Sequence, residues 1–292
     1  MIALVYVLYN PLAGNRTCEE SCKGVSDIFG SDEIRYIDLL SVEDIDAYIK
    51  RMCADDQIVI CGGDGTVNRL INSLDAEKLE QDVFYYPGGS GNDFFRDINA
   101  DNTNSVIRIN KYMKCLPRVT VNGDTKLFIN GIGYGIDGYC CEEGDKKRIK
   151  SPGKRVNYSI IALKGVLYGF HTVGAKVTVD GVTKEYSHVW MAPTMNGRFY
   201  GGGMMCAPDQ DRLNEEGLVT VIVVHARFRI QLLVAFLSVF KGMHMKYKSI
   251  VSAVQGSDVR VEFDKPTALQ IDGETVSNVK CYEVKKEKKI IC

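Results

Sequence analysis

The 292-residue sequence carries no surplus of charge: 36 Lys and Arg stand against 37 Asp and Glu, a formal net charge of -1. That balance argues against a chain whose main business is coating nucleic acid, which calls for a strong basic excess. Long apolar runs are missing too. The longest, 232–240, falls well short of the ~20 residues needed to span a bilayer, so a soluble or membrane-peripheral protein is expected. Neither an internal repeat nor a low-complexity linker is visible, and residues 2–9 read directly as a strand with no secretory leader before it. The ten cysteines are scattered through apolar stretches, as at Cys61 and Cys206, so free thiols in a reducing cytoplasm are expected. Cys18 and Cys22 lie four apart with no companion pair or nearby His, which makes a poor zinc site. His171, His188, His225 and His244 are scattered, and none is a catalytic candidate.

What is present describes a globular chain: 45% hydrophobic and 25% charged residues, at a length that suits two domains of ~100 to 200 residues each. The first ~110 residues alternate short apolar strands, over 2–9, 34–39, 57–61 and 83–86, with helical patterns, the rhythm of a parallel sheet with crossover helices. Ser41 with Asp44 three residues on reads as a capping box that opens a helix through Met52. From about Cys115 the texture becomes antiparallel: strands over 117–121, 126–129, 175–179, 188–193, 218–224 and 259–263, with Asn122-Gly123 and Asp180-Gly181 as hairpin turns. Helical spacing over 156–168 and 229–241 interrupts that half. The expected boundaries are 1–112 for an α/β domain and 113–292 for a β-rich one, with the C-terminal strand a candidate to return to the first.

Three N-terminal strands end in loops of one design. Tyr9 leads into Asn10, Pro11, Leu12, Ala13 and Gly14; Cys61 into Gly62, Gly63, Asp64, Gly65 and Thr66; Tyr86 into Pro87, Gly88, Gly89, Ser90, Gly91, Asn92 and Asp93. Carboxyl ends of parallel strands line one edge of a sheet, where ligands bind, so the loops are expected to converge. Glycines let the backbone approach a ligand and present bare N–H groups, and helix N-termini add positive dipole ends; phosphate is the natural guest. Asp64 beside triphosphate oxygens would be repelled unless a cation intervenes, which points to a Mg2+ bridge. Asn92 and Asp93 are expected to cap a helix at the same edge, and Arg96 one turn on is either a surface charge or a phosphate clamp. No Gly-Lys-Ser/Thr P-loop and no G-x-G-x-x-G after the first strand is present.

These residues resemble the bacterial diacylglycerol kinase family, lipid kinases that share a catalytic domain with sphingosine and ceramide kinases. Asn10-Pro11 through Gly14 resembles the family's first loop, Gly62 to Thr66 its G-G-D-G-T, and Pro87 to Asp93 its P-x-G-T-x-N-D with Ser90 for Thr. Asn130 to Gly138 resembles its N-x-x-G-x-G-x-D, Gly201 to Pro208 its G-G-G…P, and Leu269 to Glu274 its closing D-G-E. The first signature is shared with NAD kinases and phosphofructokinases; the later segments narrow it to lipids. The resemblance implies a three-layer α/β nucleotide-binding domain, as in NAD kinase and diacylglycerol kinase, then a mainly antiparallel β-sandwich domain, with the active site in the cleft between them. Many members carry an Asp-Gly pair after the G-G-G…P stretch, some with a structural magnesium; this sequence reads Asn214, Glu215, Glu216, Gly217 there.

The implied chemistry is ATP- and Mg2+-dependent phosphoryl transfer to a lipid hydroxyl, with diacylglycerol converted to phosphatidic acid as first choice. Phosphates would meet Asn10, Gly14, Gly62, Gly63, Gly65, Thr66, Gly89, Ser90, Asn92 and Asp93, and Mg2+ would meet Asp64, itself a competing catalytic candidate. Asp272 and Glu274 are the base candidates: alternate residues of an extended segment share a face, so both carboxylates are expected to point one way unless Gly273 bends the chain. Asp272 would take the hydroxyl proton and Glu274 orient it. Lys146, Lys147, Arg148, Lys150, Lys154 and Arg155 form a basic run suited to anionic headgroups at the inner membrane surface, and Phe199, Tyr200, Met204 and Met205 bracket a triple glycine that could admit an acyl chain. Lys285, Lys286, Lys288 and Lys289 read as a solvated strand end. An NAD kinase-like phosphotransferase and a non-catalytic nucleotide-sensing module are the alternatives; the oligomeric state, with a homodimer among the options, is left open.

Overall fold

A computed structural model describes residues 3–15, 17–30, 33–89, 91–99, 105–151 and 156–288. Ser90, Lys154, Arg155 and Lys289 lie outside the described residues. The chain divides into two units, the first comprising 1–116 together with 201–203, the second 117–200 and 204–292.

In the first unit five strands, β1 (Val5–Tyr9), β2 (Ile34–Asp38), β3 (Gln57–Gly62), β4 (Asp82–Pro87) and β5 (Ile107–Arg108), order as β2-β1-β3-β4-β5. The first four are parallel and β5 is antiparallel to β4. Val7, Ile58, Val59 and Ile60 are fully buried, because the central strands β1 and β3 are covered on both faces and read as nearly continuous apolar runs. Helices α1 (Cys18–Ser21), α2 (Ser26–Phe29), α3 (Ile45–Ile49), α4 (Asp64–Ser73), α5 (Asp93–Ile98) and α6 (Asn110–Met113) intervene. On α4, Val67, Leu70 and Ile71 share the i, i+3, i+4 stripe that faces the core. The helix expected to open at Ser41 starts later: Asp44 is its N-cap, its side chain accepting from the Ala47 amide, and Ser41 instead bonds back to the Asp38 carbonyl. Asp44 won because a carboxylate at that position reaches the N3 amide directly.

The second unit begins with β6 (Arg118–Val121), β7 (Asp124–Leu127) and β8 (Gly131–Tyr134), then α7 (Ile136–Lys150) and α8 (Tyr158–Lys164), the latter continuing into a π-helical turn over Gly165–Gly169. It continues with β9 (Val173–Val179), β10 (Val182–Met191), β11 (Thr194–Met195), β12 (Phe199–Tyr200), β13 (Met204–Met205), β14 (Val219–His225), α9 (Arg229–Val239), β15 (Val251–Gly256), β16 (Asp258–Ile271) and β17 (Glu274–Lys285). All the strand pairs of the large sheet are antiparallel, and β9 pairs with both β10 and β16, which closes the sheet around its core. The last strand, β17, pairs with β16 and β6 inside this sheet. Asn122-Gly123, Asp180-Gly181 and Asp272-Gly273 all have positive φ at both turn positions, as type I′ hairpins require. Tyr134 stacks on Phe263 at 3.9 Å and meets Tyr282 edge-on, anchoring the interior. A second core, with Trp190, Ile222, Leu232 and Ala235, lies between the sheet and the helices.

Candidate active site

In the first unit the turns after β1, β3 and β4 pack on one another. The Gly88 amide donates to the Gly62 carbonyl at 2.7 Å, and the Asn10 side chain donates to the Thr66 hydroxyl at 3.4 Å. A Cβ on Gly14, which has φ +59°, would stand 2.5 Å from the Gly88 carbonyl oxygen, and one on Gly89 would stand 2.3 Å from Cα of Gly63. Only glycines permit that approach. Asn92, itself left-handed at φ 51°, accepts from the Gly89 amide and donates to the Gly89 carbonyl, so its side chain clamps the turn. Cys18 and Cys61, with sulfurs 3.6 Å apart, form the floor beneath Gly88.

The helix α5 is capped from a distance. Asp64 Oδ2 accepts from the Asp93 amide at 2.9 Å and Oδ1 from the Phe94 amide at 2.8 Å, so a residue of the β3 turn closes the helix that Asn92 and Asp93 were expected to cap. Asp93 turns its carboxylate to Arg96 at 3.2 Å and to the Gly202 amide at 2.7 Å, within the same unit. Burial first, then the neighbouring Asp64 charge, pushes the Asp93 carboxyl up to about 6, against the opposing pull of Arg96 and the glycine amides. No side chain caps α4, whose N-terminus follows Gly63, and a Cβ on Gly65 would meet nothing within 4 Å. Open backbone at an uncapped helix N-terminus is where phosphate oxygens bind.

In the second unit Asp272 sits at the first position of the β16–β17 turn with φ 46°. Its carboxylate accepts three backbone amides, those of Ile129 at 2.6 Å, Asn130 at 2.9 Å and Gly131 at 3.0 Å. Asn196 and Arg212 hold the other side of that segment through the Ile129 carbonyl. Glu274 instead lies exposed, 3.5 Å from Lys126. The expectation that both carboxylates share a face is therefore corrected: residues 272 and 273 form the turn itself, and the strand alternation starts only after them.

A profile of the diacylglycerol kinase catalytic domain matches residues 4–116, and one of the YegS C-terminal NAD kinase beta sandwich-like domain matches 130–285, more than half of the chain. The chain belongs to the diacylglycerol kinase-like lipid kinase family. The kinase is 24% identical over 275 residues to the diacylglycerol kinase of Mycobacterium tuberculosis (strain H37Rv), covering 89% of this chain and 85% of that one. It is 27% identical over 237 residues to YtlR of Bacillus subtilis (strain 168), 75% of this chain and 74% of that one, whose name offers lipid kinase as an assignment still to be proved. A crystal structure of a diacylglycerol kinase from Bacillus anthracis str. Sterne shares the fold, with a TM-score of 0.64 at 19% identity over 98% of this chain and 94% of that one. Membership in a kinase family implies ATP as the phosphate donor.

Other expectations for this kinase change. Lys146 to Lys150 are not a loop but the last turns of α7, where Lys146 pairs with Glu142 and Glu143 and Arg148 with Asp145; i, i+3 and i, i+4 spacing on a helix brings them together. Phe199 and Tyr200 are buried strand residues paired with Met205 and Met204, packed as core. In the 214–217 segment the Asn214 side chain holds the turn through the Leu218 amide, and Glu216 pairs with Lys288. Among the described residues no cluster of three or more His, Cys, Asp or Glu side chains could hold a metal ion.

Sequence reasoning passed over Asp137, which accepts a 2.6 Å bond from the buried Tyr200 hydroxyl among the thiols of Cys140 and Cys206. Its only legible signal was the G-x-D of the 130–138 segment. Burial pushes this carboxyl from 3.8 up to about 6. Between those values the folded chain keeps a proton that the unfolded chain has lost, so stability falls as pH rises through the window. Asp137→Asn keeps the acceptor for Tyr200 and removes the charge. From pH 4 to pH 7 its stability should gain on wild type by up to about 3 kcal/mol, at ~1.4 kcal/mol per pKa unit. Parallel melting curves that keep a constant offset across that range would refute the assignment.

Proposed function

We propose that this kinase transfers the γ-phosphoryl group of ATP, in an Mg2+-dependent reaction, to a hydroxyl of a membrane lipid, converting diacylglycerol to phosphatidic acid at the inner membrane face of the cytoplasm. The observation that carries the reading is the packing of three glycine turns against one another beside the uncapped start of α4. Bound ATP would supply the phosphoryl group, and Mg2+ would offset charge on its oxygens; such ions are commonly held by one or two carboxylates plus the phosphates, which suits Asp64. Amides of Gly63, Gly65 and Gly89 would hold phosphates, with Asn10, Gly14, Gly62, Thr66, Ser90, Asn92 and Asp93 shaping or lining the cradle. Asp272, fixed by three amides, would accept the proton of the lipid hydroxyl as that oxygen takes the phosphoryl group, while Glu274 would steer the acceptor from solvent.

A panel of diacylglycerol, a sphingoid base, phosphatidylglycerol, a polyprenol and NAD, offered with labelled ATP and resolved by mass, tests the reading. Labelled phosphatidic acid above all other products supports it. Phosphorylated NAD, or nucleotide binding with no transfer, would replace it with one of the alternatives. Asp64→Asn sharpens the metal assignment. It swaps one acceptor of the α5 cap for a donor, a loss of about 1 kcal/mol, and should weaken Mg2+-dependent nucleotide binding beyond what the cap explains. Titration with and without Mg2+ measures this; an unchanged Mg2+ dependence would remove Asp64 from the metal.

A further inference from the structure

The helix α9 is apolar on every side. Leu232, Ala235 and Val239 recur at i, i+3 and i+7 and are buried in the second core, yet Ile230 and Leu237 on the other side are 65% and 78% exposed. A helix apolar all round belongs in a protein interior or against lipid, and this one has solvent on half of its surface. A second apolar face adjoins it: Leu163, Leu167 and Tyr168, along α8 and its π-helical turn, are also largely exposed. Arg229 joins the two, donating from the start of α9 to the carbonyls of Val166 and Phe170. Contiguous exposed patches of this kind mark an interaction surface.

The charges around the patch select the partner. From 217 to 257 the sequence has no Asp or Glu, and from 146 to 179 it has none either. Lys164 ends α8, while Lys241, Lys246 and Lys248 follow α9, and none has an ion-pair partner among the described residues. Basic side chains at both ends of an apolar helix suit burial in the headgroup boundary of an anionic bilayer, where long Lys stems reach the lipid phosphates. A second copy of the chain seated face to face would instead bring these unpaired cations together. We propose that the α8–α9 face is the surface by which this protein enters an anionic membrane. The inference rests on the reading that its acceptor is a membrane lipid, but it is separable from it.

The test is co-sedimentation of the full chain with phosphatidylcholine vesicles, with or without about one third phosphatidylglycerol, at low and high salt. Wild type should bind the anionic vesicles and release as salt rises. Leu237→Glu, and separately the double variant Lys246→Glu with Lys248→Glu, should lower the partition coefficient by about tenfold or more at unchanged melting temperature. Turnover on monodisperse dihexanoylglycerol should be unchanged in both. Wild type that ignores anionic vesicles, a Leu237→Glu variant that binds like wild type, or a wild-type dimer that Leu237→Glu dissociates would each overturn the surface. Vesicle binding without phosphorylation of any lipid would sink the kinase reading and leave the surface standing; phosphorylation of dihexanoylglycerol without vesicle binding would do the reverse.

Discussion

Asp272→Asn is expected to leave ATP affinity close to wild type and to cut turnover by about 10² to 10⁴-fold, the usual contribution of a positioned general base. The substitution is nearly isosteric, but the carboxylate accepts amides on both oxygens. The Asn side chain must aim its NH2 at either Ile129 or the Asn130–Gly131 pair, leaving a donor against a donor at a cost of about 1 to 3 kcal/mol. For a unit of this size that is a fall of roughly 2 to 12 °C in melting temperature. The two effects are separable. Rates taken well below the melting point read the chemistry alone, so a folded variant with near wild-type turnover would reduce Asp272 to an anchor for residues 129–131.

At the other half of the site, Gly89→Ala and Gly65→Ala should diverge. A methyl at 89 would lie 2.3 Å from Cα and 2.9 Å from the backbone nitrogen of Gly63, where no rotamer change relieves it. The two turns must part, costing about 1 to 3 kcal/mol, and a displacement near 1 Å in a positioning element costs about 10²-fold in rate. At 65 the added methyl meets no protein atom within 4 Å, and an Ala inside the first turn of α4 should stabilise the fold by roughly 0.5 to 1 kcal/mol. If phosphate oxygens lie over that open backbone, Gly65→Ala will melt higher yet bind nucleotide more weakly. Calorimetric titration alongside thermal melting measures both; undiminished nucleotide affinity in Gly65→Ala would place the phosphates elsewhere.

The strands of the first unit were legible because buried parallel strands are continuous apolar runs, and 57–61 and 83–86 match β3 and β4 to within a residue at each end. The hairpins at Asn122-Gly123 and Asp180-Gly181 were legible because the turn demands positive φ twice in succession. Short strands such as β8, Gly-Ile-Gly-Tyr, carried no such pattern, since two glycines leave no alternation to read. The helix α7 was missed for a related reason: a charge-rich helix with almost no apolar stripe looks like a solvated loop until its Lys–Glu and Arg–Asp spacings are seen as a ladder.

The sequence by itself determined the family, the two-part order of the fold and the glycine turns, because these depend on residue types at fixed local spacing. Tertiary structure alone decided that Asp64 caps a helix starting 29 residues later, that the Gly202 amide reaches back to Asp93, and that Asp272 is held by residues more than 140 positions before it. It likewise decided which side of α9 is left uncovered. Hydrogen bonds and burial are set by distance in space, and a strand crossing or a hairpin brings together residues whose separation along the chain carries no record of the meeting.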